Sequence, residues 1–367
     1  MNYDELNTKG EGIRNSLVEA GLYEEIQYES PQTEDRRLTT ATSYPIKAFE
    51  KFLGFYDNFE KIAFNPSVSF NTDFSFCISS CRYIKEDGRD FVRLDGETLT
   101  TYNKKAENAL NYFRRKFNLH GSFQFNIQRF RRYENAKGMS ESSAVAAAVA
   151  LSLVDNVFPD TRNRGSIASR FARLVSGSGT RACISGLSIW LSYPGINSDQ
   201  SFAIKLRDNP MKFHYGIFPN PRNIATDKAH ETAVKSIFYE SWLRDKYDAL
   251  YEGLRDNFNE EFLLKRGQKD SLNLHSVLLS GGLLVQSPES VSLLGKILDF
   301  QRKNEGIYLN ADTGPSIMIG AMEKSLLDEF VEFSGHNYLE GSFDFRKHLN
   351  KEAEFRKQSE EFFSSSD

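Results

Sequence analysis

Apolar and polar residues alternate along much of the stretch between positions 44 and 96. Runs such as Val68-Ser69-Phe70-Asn71 and Phe74-Ser75-Phe76-Cys77-Ile78 switch between apolar and polar residues at nearly every position, which is typical of strands with one buried face. The dipeptides Asn65-Pro66 and Asp87-Gly88 punctuate these runs with turn-forming residues. The pattern predicts an antiparallel sheet in this region.

Apolar residues recur every three or four positions in several longer segments, which indicates helices. The predicted helices span residues 13–22, 102–117, 142–154, 167–175, 232–258, 272–284, 291–301 and 315–330. Further strands are predicted at 122–127, 182–193, 201–205 and 307–309. Because strands and helices segregate rather than strictly alternate, the predicted fold class is α+β.

The length of the chain favours two fused lobes. A chain of 367 residues can bury a large core, and cores of this size commonly divide. The predicted organisation is an appended extension at 1–43, an N-terminal lobe at 44–185, a C-terminal lobe at 186–345 and a helical tail at 346–367.

Charge and composition exclude several classes of protein. The formal net charge of -4 gives no basic field for nucleic acid or an anionic membrane. No apolar run is long enough to cross a bilayer, and the N-terminus lacks a signal pattern, so we expect a cytoplasmic protein. The 3 Cys and 6 His are sparse and scattered, and we expect no metal site.

A run rich in small and hydroxyl residues, Gly138-Met139-Ser140-Glu141-Ser142-Ser143-Ala144, precedes the alanine-rich helix. Backbone N–H groups and hydroxyls would converge there at a helix N-terminus, which favours anions. The run is a candidate phosphate cradle, although Ser140 or Ser142 could equally act as a simple N-cap. Glu141 would oppose a polyanion and counts against a nucleoside triphosphate.

A second candidate is the run Ser176-Gly177-Ser178-Gly179-Thr180-Arg181. Its glycines would let the backbone approach a ligand closely, and the planar fork of Arg181 suits a carboxylate or phosphate. The alternative is a flexible turn with a solvated arginine.

Two further candidates are a carboxylate and an ammonium. Asp312-Thr313-Gly314-Pro315-Ser316 follows a short predicted strand, and Asp312 could act in a site or could cap the helix predicted after it. Lys51 lies in an apolar context, where it could enter a pocket or extend to the surface.

In this combination and order, the motifs resemble those of the mevalonate diphosphate decarboxylases of the GHMP kinase superfamily. The family patterns NIAVIKYWGKRD, NSSLS, GLASSA, SGSACRS and DAGPN correspond in turn to residues 46–57, 65–69, 138–144, 176–181 and 312–316. The resemblance covers roughly residues 44–330. It implies a two-lobed GHMP-kinase-like fold, with a ribosomal-protein-S5-domain-2-like N-terminal lobe and a ferredoxin-like C-terminal lobe.

The resemblance also implies roles for individual residues. Lys51 and Asp312 would form the catalytic pair, and Arg181 would hold the substrate carboxylate. The remaining pocket residues, which would bind substrate or phosphate, are Ser176, Ser178, Ser140, Ser142, Ser143 and Phe52.

Several positions depart from the family pattern. The second lysine of the family's first motif is Phe55 here, its tryptophan is Leu53, and its asparagine is Ile46. Because these losses fall mainly around nucleotide handling, the nearest branch is the archaeal-type mevalonate 3,5-bisphosphate decarboxylases. Members of that branch form isopentenyl phosphate, CO2 and phosphate from (R)-mevalonate 3,5-bisphosphate without ATP. The resemblance further implies a homodimer.

Three alternatives remain open at this point. The first is an ATP- and Mg²⁺-dependent decarboxylase acting on diphosphomevalonate or phosphomevalonate. The second is a mevalonate-type kinase that stops after phosphorylation, and the third is an inactive binding protein on the same scaffold.

Overall fold

The computed structural model of the protein describes residues 1–86, 88–99, 104–133, 139–220 and 226–365. Gly138 of the predicted phosphate cradle, Asp87 of a predicted turn and the first two residues of the helix predicted at 102–117 lie outside these ranges. The helices are α1 Tyr3–Glu19, α2 Lys104–Phe117, α3 Glu141–Val157, α4 Arg164–Val175, α5 Gly179–Ala182, α6 Thr226–Ala233, α7 Tyr239–Arg255, α8 Glu260–Ser280, α9 Pro288–Gln301, α10 Lys324–Ser334 and α11 Leu349–Ser364.

Four sheets lie among these helices. The strands are β1 Leu38–Ser43, β2 Ile46–Glu50, β3 Phe55–Asp57, β4 Ile62–Ala63, β5 Ser67–Asn71, β6 Ser75–Ile84, β7 Phe91–Leu94, β8 Glu97–Thr98, β9 Ser122–Arg131, β10 Leu187–Trp190, β11 Ala203–Arg207, β12 His214–Phe218, β13 Ile307–Ala311, β14 Ile317–Ala321 and β15 Leu339–Glu340. Their orders are β1-β6-β9-β7-β8, β11-β10-β5-β2, β13-β14-β12-β15 and β3-β4.

The first sheet is covered by a helix on each face. Successive strand residues point to opposite faces, and neighbouring positions on this sheet bond to different helices. Ser79 Oγ lies 3.1 Å from Ser152 Oγ in α3, whereas Asn126, the partner of Ser80, donates to Ser359 in α11 at 2.9 Å. The alanines of α3 are buried against this sheet. All neighbouring strands of the sheet pair antiparallel except β7 and β9, which pair parallel.

Helix α8 lies between the second and third sheets, in contact with both β2 and β13. All five residues of β2 are buried, including the two charged residues Lys47 and Glu50. A buried charge needs a partner, so β2 can sit here only if opposite charges reach it from the elements around it. The candidate site forms where they do.

The predicted α+β class is confirmed, but several elements differ from the prediction. The segment 315–330 is not one helix, because it divides into strand β14 and helix α10. The segment 232–258 contains α6 and α7 rather than one helix, with Ser236 in the connection bonding to Ser280 of α8. Helix α8 begins twelve residues before the predicted start at 272, and strand β12 was not predicted.

The first 43 residues are integrated into the fold. Leu6, Ile13 and Leu17 of α1 belong to the main hydrophobic core, and β1 pairs with β6 along its whole length. The lobe boundaries given above remain predictions. Within the described ranges, no helix combines the length and the apolar content that crossing a membrane requires.

Candidate active site

A hairpin turn presents Asp312. Strands β13 and β14 pair antiparallel up to Ala311 and Ile317, and the five residues between them make the turn. The sequence predicted that Asp312 precedes a helix, and this is wrong, because a short apolar run such as residues 317–321 is compatible with either structure. Asp312 therefore caps no helix at this position, and its carboxylate lies at the mouth of the hairpin.

Two lysines, four positions apart in the chain, form ion pairs with this carboxylate. Lys47 Nζ lies 2.8 Å from Asp312 Oδ2, and Lys51 Nζ lies 4.0 Å from Asp312 Oδ1. Lys51 is 4% exposed, so it is not a surface lysine. Burial alone would raise the pKa of Asp312, but the charges of the two lysines outweigh it and hold that pKa below its ordinary value. Asp312 is thus a carboxylate throughout the neutral range.

A chain of alternating charges continues from this pair into the core. Lys51 Nζ lies 3.7 Å from Asp270 Oδ2, and Asp270 also pairs with Lys246. Lys246 Nζ lies 3.2 Å from Glu50 Oε2, and Glu50 Oε1 lies 2.7 Å from Arg266 Nε. Apart from Asp312, these side chains are almost completely buried, which is tolerated because each charge has an opposite neighbour.

Arg181 enters the same cavity from α5. The guanidinium is 1% exposed, and its NH1 donates to the hydroxyl of Ser67. Its Nε–H is buried and has no hydrogen-bond partner among the described residues. Burial lowers the pKa of Arg181 to about 9, and the charge of Asp312 only partly opposes this effect. An incompletely paired guanidinium in such a place is suited to receive an anion from the cavity.

Phe52 supports the arginine. The Arg181 guanidinium lies 5.5 Å from the centroid of the Phe52 ring, and that ring contacts Trp190 edge-on at 4.8 Å. A Cβ on Gly177 would lie 2.5 Å from Phe52 Cζ, and one on Gly179 would lie 2.9 Å from Ala146 Cβ. The glycines of this run thus allow protein groups to pack closely, rather than a ligand as the sequence suggested.

The serine residues divide into two groups. Ser140, Ser142, Ser176 and Ser178 line the cavity. Ser143 does not, because it is fully buried and its hydroxyl donates to the carbonyl oxygen of Ser140 at 2.7 Å. The prediction that Ser143 contacts phosphate is therefore not supported by its position.

The start of α3 combines a strained residue with an ion pair. Ser140 has φ 59°, in the left-handed region, and its side chain makes no capping bond. Its hydroxyl therefore does not serve as the N-cap that the sequence allowed. Glu141 accepts from Arg131 NH2 at 2.8 Å, and the nearby Arg129 pairs with Asp95. These arginines already have carboxylate partners, so neither of them is a free cation for a nucleoside triphosphate at the start of α3.

One cavity of about 850 Å³ contains all the predicted site residues except Ser143. Charged and hydroxyl side chains lie at one end, around Lys47, Lys51, Arg181 and Asp312. The other end is an aliphatic wall, formed by side chains of β7, β9, α2, α3 and α4 that include Val92, Ile127, Leu110, Val145, Val149 and Leu153. Arg129 and Glu141 also line the cavity from β9 and α3, where they pair with Asp95 and Arg131 respectively.

Comparison with known proteins places the chain in a family. The chain is 48% identical over 365 residues to a mevalonate 3,5-bisphosphate decarboxylase of Thermoplasma acidophilum, covering 99% of this chain and 90% of the relative. It is 47% identical to the protein of that name from Thermoplasma volcanium, covering 99% of this chain and 98% of the relative. The chain belongs to the mevalonate 3,5-bisphosphate decarboxylase family.

More distant relatives share the fold. Residues 43–203 match the family described as diphosphomevalonate decarboxylase-like N-terminal domain. The crystal structure of mevalonate diphosphate decarboxylase from Staphylococcus aureus superposes with a TM-score of 0.72 at 18% identity, covering 83% of this chain and 96% of that one. The GHMP-kinase-like fold implied by the motifs is confirmed.

Sequence reasoning missed part of the site in this family member. Lys47, the nearest partner of Asp312, was given no role, Lys246 was predicted only as a helix position, and Asp270 lay outside every predicted element. One signal was available for Lys47, since a lysine inside the apolar run 46–53 needs a nearby anion if the run is a buried strand. No comparable signal marks Asp270, whose partners come from distant parts of the chain.

Proposed function

We propose that the protein decarboxylates (R)-mevalonate 3,5-bisphosphate to isopentenyl phosphate, releasing CO2 and inorganic phosphate. The observation that carries this proposal is the buried, incompletely paired guanidinium of Arg181 in a cavity shared with Lys47, Lys51 and Asp312. A substrate with one carboxylate and two phosphates complements this group of cations. The relatives named for the same reaction, at 48% and 47% identity, support it.

The reaction needs only charge stabilisation, because no electrons enter or leave. The bond from C3 to the 3-phosphate oxygen breaks, and its electron pair leaves with the phosphate. The bond between the carboxyl carbon and C2 then breaks, and its pair forms the double bond from C2 to C3. The products are CO2, phosphate and a terminal alkene that keeps its 5-phosphate.

Each residue of the charged end has a role in this scheme. Arg181 holds the carboxylate that becomes CO2 and fixes its orientation. Asp312 stabilises the positive charge that develops at C3, and Lys51 with Lys47 stabilises the negative charge that moves onto the leaving phosphate. Ser140 and Ser142 at the start of α3 receive that phosphate, while Ser176 and Ser178 complete the wall of the pocket.

We also propose that the reaction uses no nucleotide and no metal ion. The 3-phosphate is already present in the substrate, so no phosphoryl transfer is required. Glu141 and its pairing with Arg131 support this view, since a triphosphate placed there would meet a carboxylate and an arginine that is already paired. From the family resemblance we further propose a homodimer, which light scattering on the purified protein would test. From the sequence pattern we propose a cytoplasmic location.

The decisive experiment is an incubation of purified protein with mevalonate 3,5-bisphosphate in buffer containing EDTA and no nucleotide. We expect equal amounts of CO2, phosphate and isopentenyl phosphate. Mevalonate 5-diphosphate with ATP and Mg²⁺ is the parallel substrate. Product from that mixture alone would establish an ATP-dependent decarboxylase and overturn the proposal, whereas a phosphorylated product without CO2 would indicate a kinase.

Arg181→Lys provides a matched variant for the site. It keeps a positive charge but loses the planar fork, so we expect a large loss of turnover with a normal circular dichroism spectrum. Wild-type rates in this variant would refute the role of the guanidinium.

A further inference from the structure

Asp270 is a buried carboxylate that has no role in the proposed reaction. It nevertheless contacts Lys51, one of the residues of the site. It lies in the middle of α8, is 0% exposed and uses both of its oxygens. Oδ1 accepts from Trp242 Nε1 at 2.9 Å and pairs with Lys246, while Oδ2 accepts from the backbone N–H of Lys51 at 2.9 Å. The contacts at Oδ1 anchor the carboxylate to α7, and the bond at Oδ2 holds the backbone of Lys51 where it leaves strand β2.

The side chain of Lys51 is held by the same segment of α8. Lys51 Nζ donates to Ser271 Oγ at 3.1 Å and lies 3.7 Å from Asp270 Oδ2. Ser271 Oγ in turn donates to the carbonyl oxygen of Gly267 within α8 and accepts from the backbone N–H of Ala311, next to Asp312. The consecutive residues Asp270 and Ser271 therefore connect Lys51 to the hairpin that presents Asp312.

We propose that Asp270 is a positioning residue, which holds Lys51 at the floor of the cavity and keeps it an ammonium there. This inference rests on the proposed function, because it explains how one of its cations is maintained. A lysine with so little exposure to solvent would otherwise favour the neutral amine, which could not stabilise a departing phosphate.

The charges around Lys51 support this assignment. They come from β2, the β13–β14 hairpin, α5, α7 and α8. The groups are Lys47, Glu50, Asp312, Arg181, Lys246, Asp270 and His275. Burial lowers the pKa of Lys51, the charges of Asp270 and then Asp312 oppose that effect, and Lys47 and Lys246 add to it. Asp312 is needed for the substrate, so Asp270 is the anion left to balance Lys51 during the reaction.

The test is the pH dependence of kcat/KM for Asp270→Asn, because kcat/KM reports ionisations of the free enzyme. The amide keeps the shape of the side chain, and its single oxygen can still accept from Trp242 Nε1 or from the Lys51 backbone N–H, although not from both. Loss of an adjacent opposite charge should move the alkaline limb of the profile to lower pH by about 1 to 3 units. Activity should approach that of the wild type at the acid end, where Lys51 is protonated in both proteins.

Asp245→Asn is the matched control. Asp245 belongs to the same ion network, with Arg266 NH2 at 2.9 Å and Lys269 Nζ at 2.6 Å, but it is not among the charges acting on Lys51. The alkaline limb of the kcat/KM profile of Asp245→Asn should coincide with that of the wild type. Arg181 also has a pKa in the alkaline range, and the carboxylate that raises this pKa is Asp312 rather than Asp270. An alkaline limb caused by Arg181 would therefore not move in Asp270→Asn.

Two results would overturn the inference. One is an Asp270→Asn profile parallel to the wild type and merely lower at every pH, and the other is an equal shift in Asp245→Asn. If Asp270→Asn does not fold because Lys246 loses one of its two carboxylate partners, the double variant Asp270→Asn with Lys246→Met leaves the net charge of the core unchanged and should show a smaller shift in the same direction. A wild-type enzyme without activity on mevalonate 3,5-bisphosphate would instead refute the proposed function.

Discussion

Replacing Arg181 by methionine should make the free protein more stable and, at the same time, inactive. Burial lowers the pKa of this arginine from 12.5 to about 9, and the folded state therefore holds the cation at a cost. At neutral pH the arginine is charged in both states, so the cost is fully present, and it fades only as the pH rises through 9. The shift corresponds to at most about 5 kcal/mol, since one unit is about 1.4 kcal/mol.

Losses offset part of this gain. The buried hydroxyl of Ser67 loses its donor, which costs about 1 to 3 kcal/mol, and the contact with the Phe52 ring loses about 1 kcal/mol. Methionine fills a similar length and contacts Phe52 well. We therefore expect a net stabilisation of about 1 to 3 kcal/mol, which for a chain of this size raises Tm by about 1 to 4 °C.

The assay pairs thermal unfolding with turnover. Under the proposed function Arg181 makes a bidentate, charge-assisted contact with the substrate carboxylate. The variant should then lose about 3 to 6 kcal/mol of transition-state binding, or roughly a hundredfold to ten-thousandfold in kcat/KM. Saturating substrate should raise the Tm of the wild type and leave that of the variant almost unchanged.

Arg173→Met provides the contrast. Arg173 is also buried, but it donates to Ser198 Oγ at 2.6 Å and to the carbonyl oxygens of Ser198 and Ser201. Burial lowers the pKa of Arg173 to about 10, so removal of this cation recovers at most about 3 kcal/mol. It also leaves three buried acceptors unpaired at about 1 to 3 kcal/mol each, so the net effect should be destabilising. An Arg181→Met protein that unfolds below the wild type, or that still turns over substrate, would show that the guanidinium is a structural group and not an anion receptor.

The other expectations concern single positions. Asp312→Asn should lower kcat by roughly a hundredfold to a thousandfold while leaving the circular dichroism spectrum unchanged, and a smaller effect in a steady-state assay would count against its role. Gly177→Ala should displace the Phe52 ring and destabilise the protein by about 1 to 3 kcal/mol with a higher KM, whereas Gly295→Ala, with open space around its Cβ, should be neutral or stabilising in the same denaturant titration. Burial lowers the pKa of His230 from 6.5 to about 4, so the unfolded chain gains a proton that the folded protein refuses, and stability should fall by up to about 3 kcal/mol as the pH drops from 6.5 to 4. His230→Gln should unfold with a flatter pH dependence, and identical curves would exclude His230 as the cause.

The sequence could predict the residues of the site better than the elements that carry them. Lys51, Arg181 and Asp312 come from motifs whose order is preserved, and the structure brings them into one cavity. The helix predicted after Asp312 was wrong because the apolar residues 317–321 are buried on both sides, and such a strand shows no alternation.

Ion pairs between residues far apart in the chain form the part of the site that the sequence could not predict. The charges of Glu50, Lys246 and Asp270 are intelligible only together, since each would be an unfavourable core residue alone. Their separations along the chain exceed any local pattern. Ser143 illustrates the opposite case, in which a local bond to the Ser140 carbonyl removed a hydroxyl from the site that its motif had suggested.

The division of the cavity into a charged end and an aliphatic wall affects how such a protein can change over time. The cations at one end are fixed by partners in a dry core, so substitutions there are tightly constrained. Val145, Val149 and Leu153 project from a different helix and pair with no charge. Drift in size or shape along that surface can therefore alter which molecules are admitted while the reactive chemistry is inherited intact.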